Sequence, residues 1–239
     1  LADEVETFGS GGADGYDLAA WSENIGAGCT IDEDAEPSVG ETGDVLNIVA
    51  ASSGFEALAV RFFTTRVEFY LYTKFYVVSH GLPSGESMTV ASFHSTGGQW
   101  IAALLVKNNG GQLQARIWFD EDIDAQEAVV NISAGQWYEA EWYIKADAAP
   151  GSDVFQGVLD GVSVIEDVAA NIGEANIGKV ELGVPAWEGD EAIQIYFDHL
   201  EVRDAGSGWK VGPSAPSTEQ IERGIARPSI QEIVQYAWR

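Results

Sequence analysis

A single cysteine, Cys29, stands in a chain of 239 residues. One thiol excludes an internal disulfide and any cysteine-built zinc site, leaving a free buried thiol or a bridge between molecules. Poverty in cysteine fits a bacterial, viral or archaeal protein better than a disulfide-stapled animal ectodomain. Basic residues are also scarce: 12 Lys and Arg face 38 Asp and Glu, a net charge of −26. Nucleic acid and anionic membrane surfaces are disfavoured as partners, because both are held by Lys and Arg. High solubility, cation binding or a salty medium all suit such a charge. No apolar run approaches the roughly 18 residues that a membrane-crossing helix needs. Gly-x-Ser-x-Gly, phosphate loops and metal-spaced histidines are missing, and His80, His94 and His199 lie far apart. The chain begins at Leu1 without a signal-like segment, which is compatible with a cleaved leader, a trimmed start or an unrepresented one.

What is present is apolar, aromatic and periodic. Hydrophobic residues make up 46% and aromatic residues 11%, so composition does not predict disorder. The length suits one large β domain. Tyr138, Ala140, Trp142 and Ile144 alternate with Trp137, Glu139, Glu141, Tyr143 and Lys145, a period of two that predicts a strand with one buried face. A second run, Val154 to Leu159, leads through Asp160-Gly161 into Val162 to Ile165. Asp-Gly between β-branched runs predicts a tight hairpin, since both central residues of a type I′ turn need positive φ.

The same reading predicts strands over 45–50, 57–63, 67–78, 88–94, 100–107, 113–119, 180–184 and 193–202, with turn residues about every ten positions. Residues 1–44 read as loops and short edge strands. In the 67–78 strand, Val67, Phe69, Leu71, Phe75 and Val77 fall on one side, with Tyr70, Tyr72, Lys74 and Tyr76 on the other. In the 113–119 strand the outward residues are Gln114, Arg116 and Trp118. Were these strands neighbours of the 137–145 strand, Tyr70, Tyr72, Tyr76, Arg116, Trp118, Glu139, Glu141 and Tyr143 would line one glycan-binding face, with aromatic rings for sugar stacking. Glu139 and Glu141 share a side about 6.5–7 Å apart, a spacing suited to paired carboxylates in glycoside hydrolysis. His94 together with Tyr70 or Tyr72 could assemble a general base.

The Gly-x-Trp-Tyr strand, the strand ending in Leu159-Asp160-Gly161 and the late Ile195-Tyr196-Phe197-Asp198-His199-Leu200-Glu201-Val202 resemble the concanavalin A-like, laminin-G-like jelly-roll superfamily. The resemblance covers roughly residues 5 to 203. It implies an all-β fold, an antiparallel two-sheet jelly-roll sandwich, with the last strand returning beside the first. Members include lectins, adhesins, glycosidases, lyases and virion proteins, so fold alone does not select an activity. The acidic triplet of the glycosidase branch and the Gln-x-His of the alginate-lyase branch are both missing, since Gln112-Leu113-Gln114 carries no histidine. The expectation is a non-catalytic module, extracellular or on a cell or virion surface, that binds a glycan or a partner subunit. A polysaccharide lyase or glycoside hydrolase acting in a groove is the alternative.

Two acidic stretches remain. Asp32-Glu33-Asp34-Ala35-Glu36 reads as a solvated run or a weak calcium site. Asp120, Asp122 and Asp124 open like a calcium loop, but the sixth-position glycine is missing and position twelve is Asn131, which rejects an EF-hand. These three aspartates stay as calcium candidates, and no other cofactor is implied. Asn131-Ile132-Ser133 is a glycosylation sequon, meaningful only in a eukaryotic secretory route.

From residue 204 the composition changes: four acidic residues balance four basic ones, so the whole −26 lies in residues 1–203. Gly206-Ser207-Gly208 and Pro213-Ser214-Ala215-Pro216 read as linker. Ser217 with Gln220, and Ser229 with Glu232, are capping-box starts of two short helices. Ile230, Ile233 and Val234 form an apolar stripe with Trp238 close by, a surface for packing on the sandwich or docking on another chain, including a second copy. The chain therefore divides into a sandwich over 1–203 and a short helical C-terminal tail over 204–239.

Overall fold

The computed structural model describes residues 4–6, 21–35, 44–51, 56–119, 126–146, 152–170, 172, 177–185, 191–208 and 210. The predicted helical tail with Ile230, Ile233, Val234 and Trp238, and the loop with Asp120, Asp122 and Asp124, lie outside them. Fifteen strands occur among the described residues. In chain order they are β1 (Glu4–Glu6), β2 (Trp21–Ile25), β3 (Thr30–Ala35), β4 (Asp44–Ala50), β5 (Ala57–Arg66), β6 (Glu68–His80), β7 (Ser87–Ser95) and β8 (Trp100–Asn109). Then come β9 (Gln112–Phe119), β10 (Gln126–Asn131), β11 (Trp137–Lys145), β12 (Asp153–Leu159), β13 (Val162–Ala170), β14 (Ile177–Val184) and β15 (Ile193–Asp204).

These strands build two antiparallel sheets. The eight-stranded sheet runs β13-β12-β11-β6-β15-β4-β3, with β1 against the far stretch of β15. The seven-stranded sheet runs β10-β9-β8-β7-β14-β5-β2. The last strand thus returns beside the first, with Val5 opposite Glu201. Alternation fixes which side of each strand is buried. Ala140, Trp142 and Ile144 of β11 join Leu113, Ala115, Ile117 and Phe119 of β9 in one core between the sheets. Two aromatic contacts bridge the layers: Phe93 meets Trp142 edge-on at 4.8 Å, and Phe119 stacks on Phe155 at 4.1 Å. Each such side chain, fully buried, contributes on the order of 2–3 kcal/mol. Gly157 lets the sheets approach, because a Cβ there would sit 3.0 Å from the Ile117 side chain.

The predicted tight turn is present: Asp160 and Gly161 have φ of +50° and +71°, and Leu159 pairs with Val162. The Asp160 carboxylate also accepts from the Glu139 amide at 2.9 Å, which ties this turn to β11. Two expectations need correction. Val67 is exposed, lying between β5 and β6 where the chain turns from one sheet to the other. Gln126–Asn131 is a full edge strand paired with β9, where the sequence pattern gave no strand. Asp32 to Asp34 lie in edge strand β3, whose alternation turns Ile31 into the core and leaves Asp32 exposed. The Cys29 thiol is free and buried, and accepts from the Ala51 amide at 3.3 Å.

Candidate functional site

Each sheet offers one outward face, and the predicted residues divide between them. Because β6 and β11 are neighbours, Tyr70, Tyr72, Tyr76, Glu139, Glu141 and Tyr143 share the outer face of the eight-stranded sheet. Arg116 and Trp118 sit on β9 in the other sheet, so they face away on the opposite side of the sandwich. A single groove holding all eight is therefore not formed. For the same reason His94, on β7, cannot act with Tyr70 or Tyr72.

The outer face of the eight-stranded sheet is largely closed on itself. Tyr72 is 1% exposed and Glu141 2%. The Tyr72 hydroxyl donates to Glu139 at 2.9 Å, and Tyr143 donates to Glu68 at 2.8 Å. Burial, reinforced by these carboxylate acceptors, pushes both phenols above their ordinary pKa. Tyr70 is also raised, chiefly by burial and then by Glu68 and Glu141. Tyr70 packs on Tyr143 at 4.8 Å, and Tyr76 lies between Trp137 at 5.3 Å and Tyr196 at 5.8 Å. These rings are engaged with one another and with carboxylates. Glu139 and Glu141, the predicted carboxylate pair, are already occupied, Glu141 by the Lys210 amide.

The outer face of the seven-stranded sheet is different. Register sets Phe62, Lys179, His94 and Trp100 in one row across β5, β14, β7 and β8. The adjacent row holds Glu181, Ser92, Ala103 and Trp118, with small Ser92 and Ala103 lying low between larger neighbours. Phe62 is 68% exposed. Trp100 touches both His94 and Trp118 edge-on, each at 5.7 Å. Arg116 follows Trp118 at the next outward position of β9, opposite Leu105.

Glu181 is the electrostatic centre of this face. Its carboxylate accepts from Lys179 Nζ at 2.8 Å and from the Ser92 hydroxyl at 3.3 Å, and lies 3.1 Å from His94 Nε2. Burial opposes its ionisation, but the hydrogen bonds and charges of His94 and Lys179 prevail and bring the carboxyl down to about 2. An ionised carboxylate only accepts, which assigns the bridging proton to His94 Nε2. The other ring nitrogen, Nδ1, is buried with no hydrogen-bond partner among the described residues. Ser92 and Glu181 meet the same nitrogen of His94, so the trio is not a nucleophile relay, which needs serine and acid on opposite ring nitrogens.

Sequence reading missed Phe62, Ser92, Lys179 and Glu181, and placed Trp100 only as a strand residue. The available signals were two polar pairs at i, i+2, Ser92-x-His94 and Lys179-x-Glu181, inside otherwise apolar strands. No group of three His, Cys, Asp or Glu among the described residues could hold a metal ion.

Solved structures sharing this arrangement decide the fold. A cellulose-induced protein, Cip1, superposes with a TM-score of 0.55 at 15% identity, covering 84% of this chain and 97% of its own. The globular domain of T. cruzi calreticulin does so at 0.52 and 10% identity, over 84% and 87% of the two chains. The fold is the antiparallel two-sheet jelly roll. An alginate lyase from Klebsiella pneumoniae gives 0.52 at 10% identity, over 68% of this jelly roll and 82% of the lyase. No protein-family model matches the sequence, and no curated protein matches it.

Proposed function

We propose that this jelly roll is a glycan-binding module, presented outside the cell or on a cell or virion surface, whose binding surface is the outer face of the seven-stranded sheet. The observation that carries the reading is the row of Phe62, Lys179, His94 and Trp100, beside Trp118 and Arg116. Exposed Phe62 and the half-buried rings of Trp100 and Trp118, set among polar groups on a rigid sheet, suit the apolar ring faces and hydroxyl rims of sugars. The opposite face supports the choice by contrast, since its tyrosines are packed and hydrogen-bonded to carboxylates. Glycan arrays test the reading. Trp118→Ala and Trp100→Ala should each weaken binding roughly tenfold or more, the size expected for a buried aromatic anchor. Lys145→Ala on the other sheet should leave binding unchanged. Wild type silent on all glycans, or equal loss in all three variants, would overturn it.

One observation favours an enzyme as a second reading. A histidine held at one nitrogen by a carboxylate, with the other nitrogen unpartnered, is the arrangement of a general base. On this reading His94 Nδ1, once substrate binding uncovers it, takes a proton from a bound uronate, as in a polysaccharide lyase. Incubation with alginate and glucuronan should then release unsaturated ends with wild type and none with His94→Gln. Absence of product from wild type eliminates the lyase and leaves the binding module standing.

A further inference from the structure

The eight-stranded sheet carries two acids in an unusual position. In one row across β11, β6 and β15, Glu141 and Glu201 flank Tyr72 directly. Glu141 is 2% exposed and Glu201 8%, although both point away from the core. Buried carboxylates are costly unless a cation or donors compensate them. Here the compensation comes largely from Lys210, six residues beyond the end of β15. Its ammonium donates to Glu201 Oε1 and lies 4.4 Å from the centre of the Tyr72 ring. Its backbone amide donates to Glu141 Oε1. One carboxylate and an aromatic face thus meet the ammonium group, a combination that recognises primary amines, while the second carboxylate holds the backbone of the same residue. Arg203 Nε at 3.6 Å adds positive charge on the flank of Glu201, and His199 Nε2 lies 3.8 Å from its Oε1.

The route of the chain to this seat is also fixed. Asp204 accepts from the Gly206 amide at 3.0 Å and caps the short 3-10 turn Ala205–Ser207. Gly208, with φ of +67°, then takes a left-handed conformation that only glycine adopts without strain. The strand end therefore reverses, and the chain comes back over the sheet it has just completed.

We propose that the outer face of the eight-stranded sheet is a binding site for a primary ammonium group, filled by the chain's own Lys210. This seat clasps the segment after β15 onto the sandwich. It lies on the side opposite the aromatic face of the seven-stranded sheet and stands or falls independently of glycan binding.

Tryptic cleavage of the full chain tests the clasp, because trypsin must draw Lys210 out of the seat before it can cut the Lys210–Val211 bond. Cleavage after Arg223, followed in the same digest by mass spectrometry, is the internal reference. In wild type at low salt, the cut after Lys210 should be about tenfold slower than in Glu201→Gln, in line with loss of a charge-assisted hydrogen bond. The rate after Arg223 should be unchanged between the two. Far-UV circular dichroism reports whether the variant folds. If it does not, wild type alone decides: the ratio of the Lys210 to the Arg223 rate should climb as sodium chloride screens the pair. A Lys210 cut as fast in wild type as in a folded Glu201→Gln, or a ratio indifferent to salt, overturns the proposal.

Discussion

Glu181 gathers Lys179, Ser92 and His94 at one carboxylate, and its titration is the sharpest chemical signature of the seven-stranded sheet. A glutamate ordinarily titrates near 4.5, and in the fold this one titrates at about 2. Folding therefore favours its ionised form. The stability it contributes is complete above about pH 4.5 and is lost as pH falls toward 2. Glu181→Gln should lower the urea midpoint at pH 7, by a free energy on the order of 1–3 kcal/mol. The difference from wild type should shrink steadily below pH 4.5. A deficit constant from pH 7 to pH 2.5 would show that the carboxylate's charge is irrelevant and that only its shape matters.

At the scale of the strand, backbone geometry rather than side-chain chemistry sets the strongest constraint. Gly183 of β14 has φ of +115°, and a Cβ built there would stand 2.0 Å from the carbonyl oxygen of Ala57 on β5. Gly98, in the turn between β7 and β8, has φ of +90° but nothing within 4 Å. Gly98→Ala should cost about 1 kcal/mol, the conformational term alone. Gly183→Ala should cost more than about 3 kcal/mol, because backbone must move as well. Urea denaturation of the two variants compares them directly, and equal losses would contradict the contact with Ala57.

The same scale explains what the sequence made legible. Apolar runs between turn residues located β4 to β9 and β11 to β15, and period-two alternation told inward from outward residues on β6, β9 and β11. Asp160-Gly161 announced its own turn through the φ values it allows. Alternation is silent, however, on which sheet a strand joins, because that depends on pairing with residues distant in the chain. Tyr72 and Trp118 both point outward, yet on opposite sides of the molecule, and no local pattern distinguishes them. β10 escaped because Gln126-Glu127 opens it in polar fashion and only Ala128 to Val130 reads as apolar. His94 escaped as a member of a cluster because its partner Glu181 lies 87 positions away in sequence, a separation that only the β7–β14 pairing closes.

For the molecule as a whole, the excess of acids is the dominant long-range force. With a net charge of −26, the compact state repels itself and the expanded chain relieves that repulsion. Screening by salt acts over about 10 Å at 0.1 M and less at higher concentration. Sodium chloride should therefore raise the urea midpoint between low salt and about 1 M, through weaker self-repulsion. A midpoint that falls with salt would mean that attractive pairs such as Lys179–Glu181 outweigh the global repulsion. The order of the strands adds a constraint of another kind. β15 lies between β6 and β4, and β14 between β7 and β5, so both late strands occupy interior positions of their sheets. While a ribosome is still making the chain, β4 to β7 have emerged with gaps where these two must go. The nascent protein holds unsealed hydrophobic ribbons until β14 and β15 arrive, and its window for aggregation spans the synthesis of every strand between.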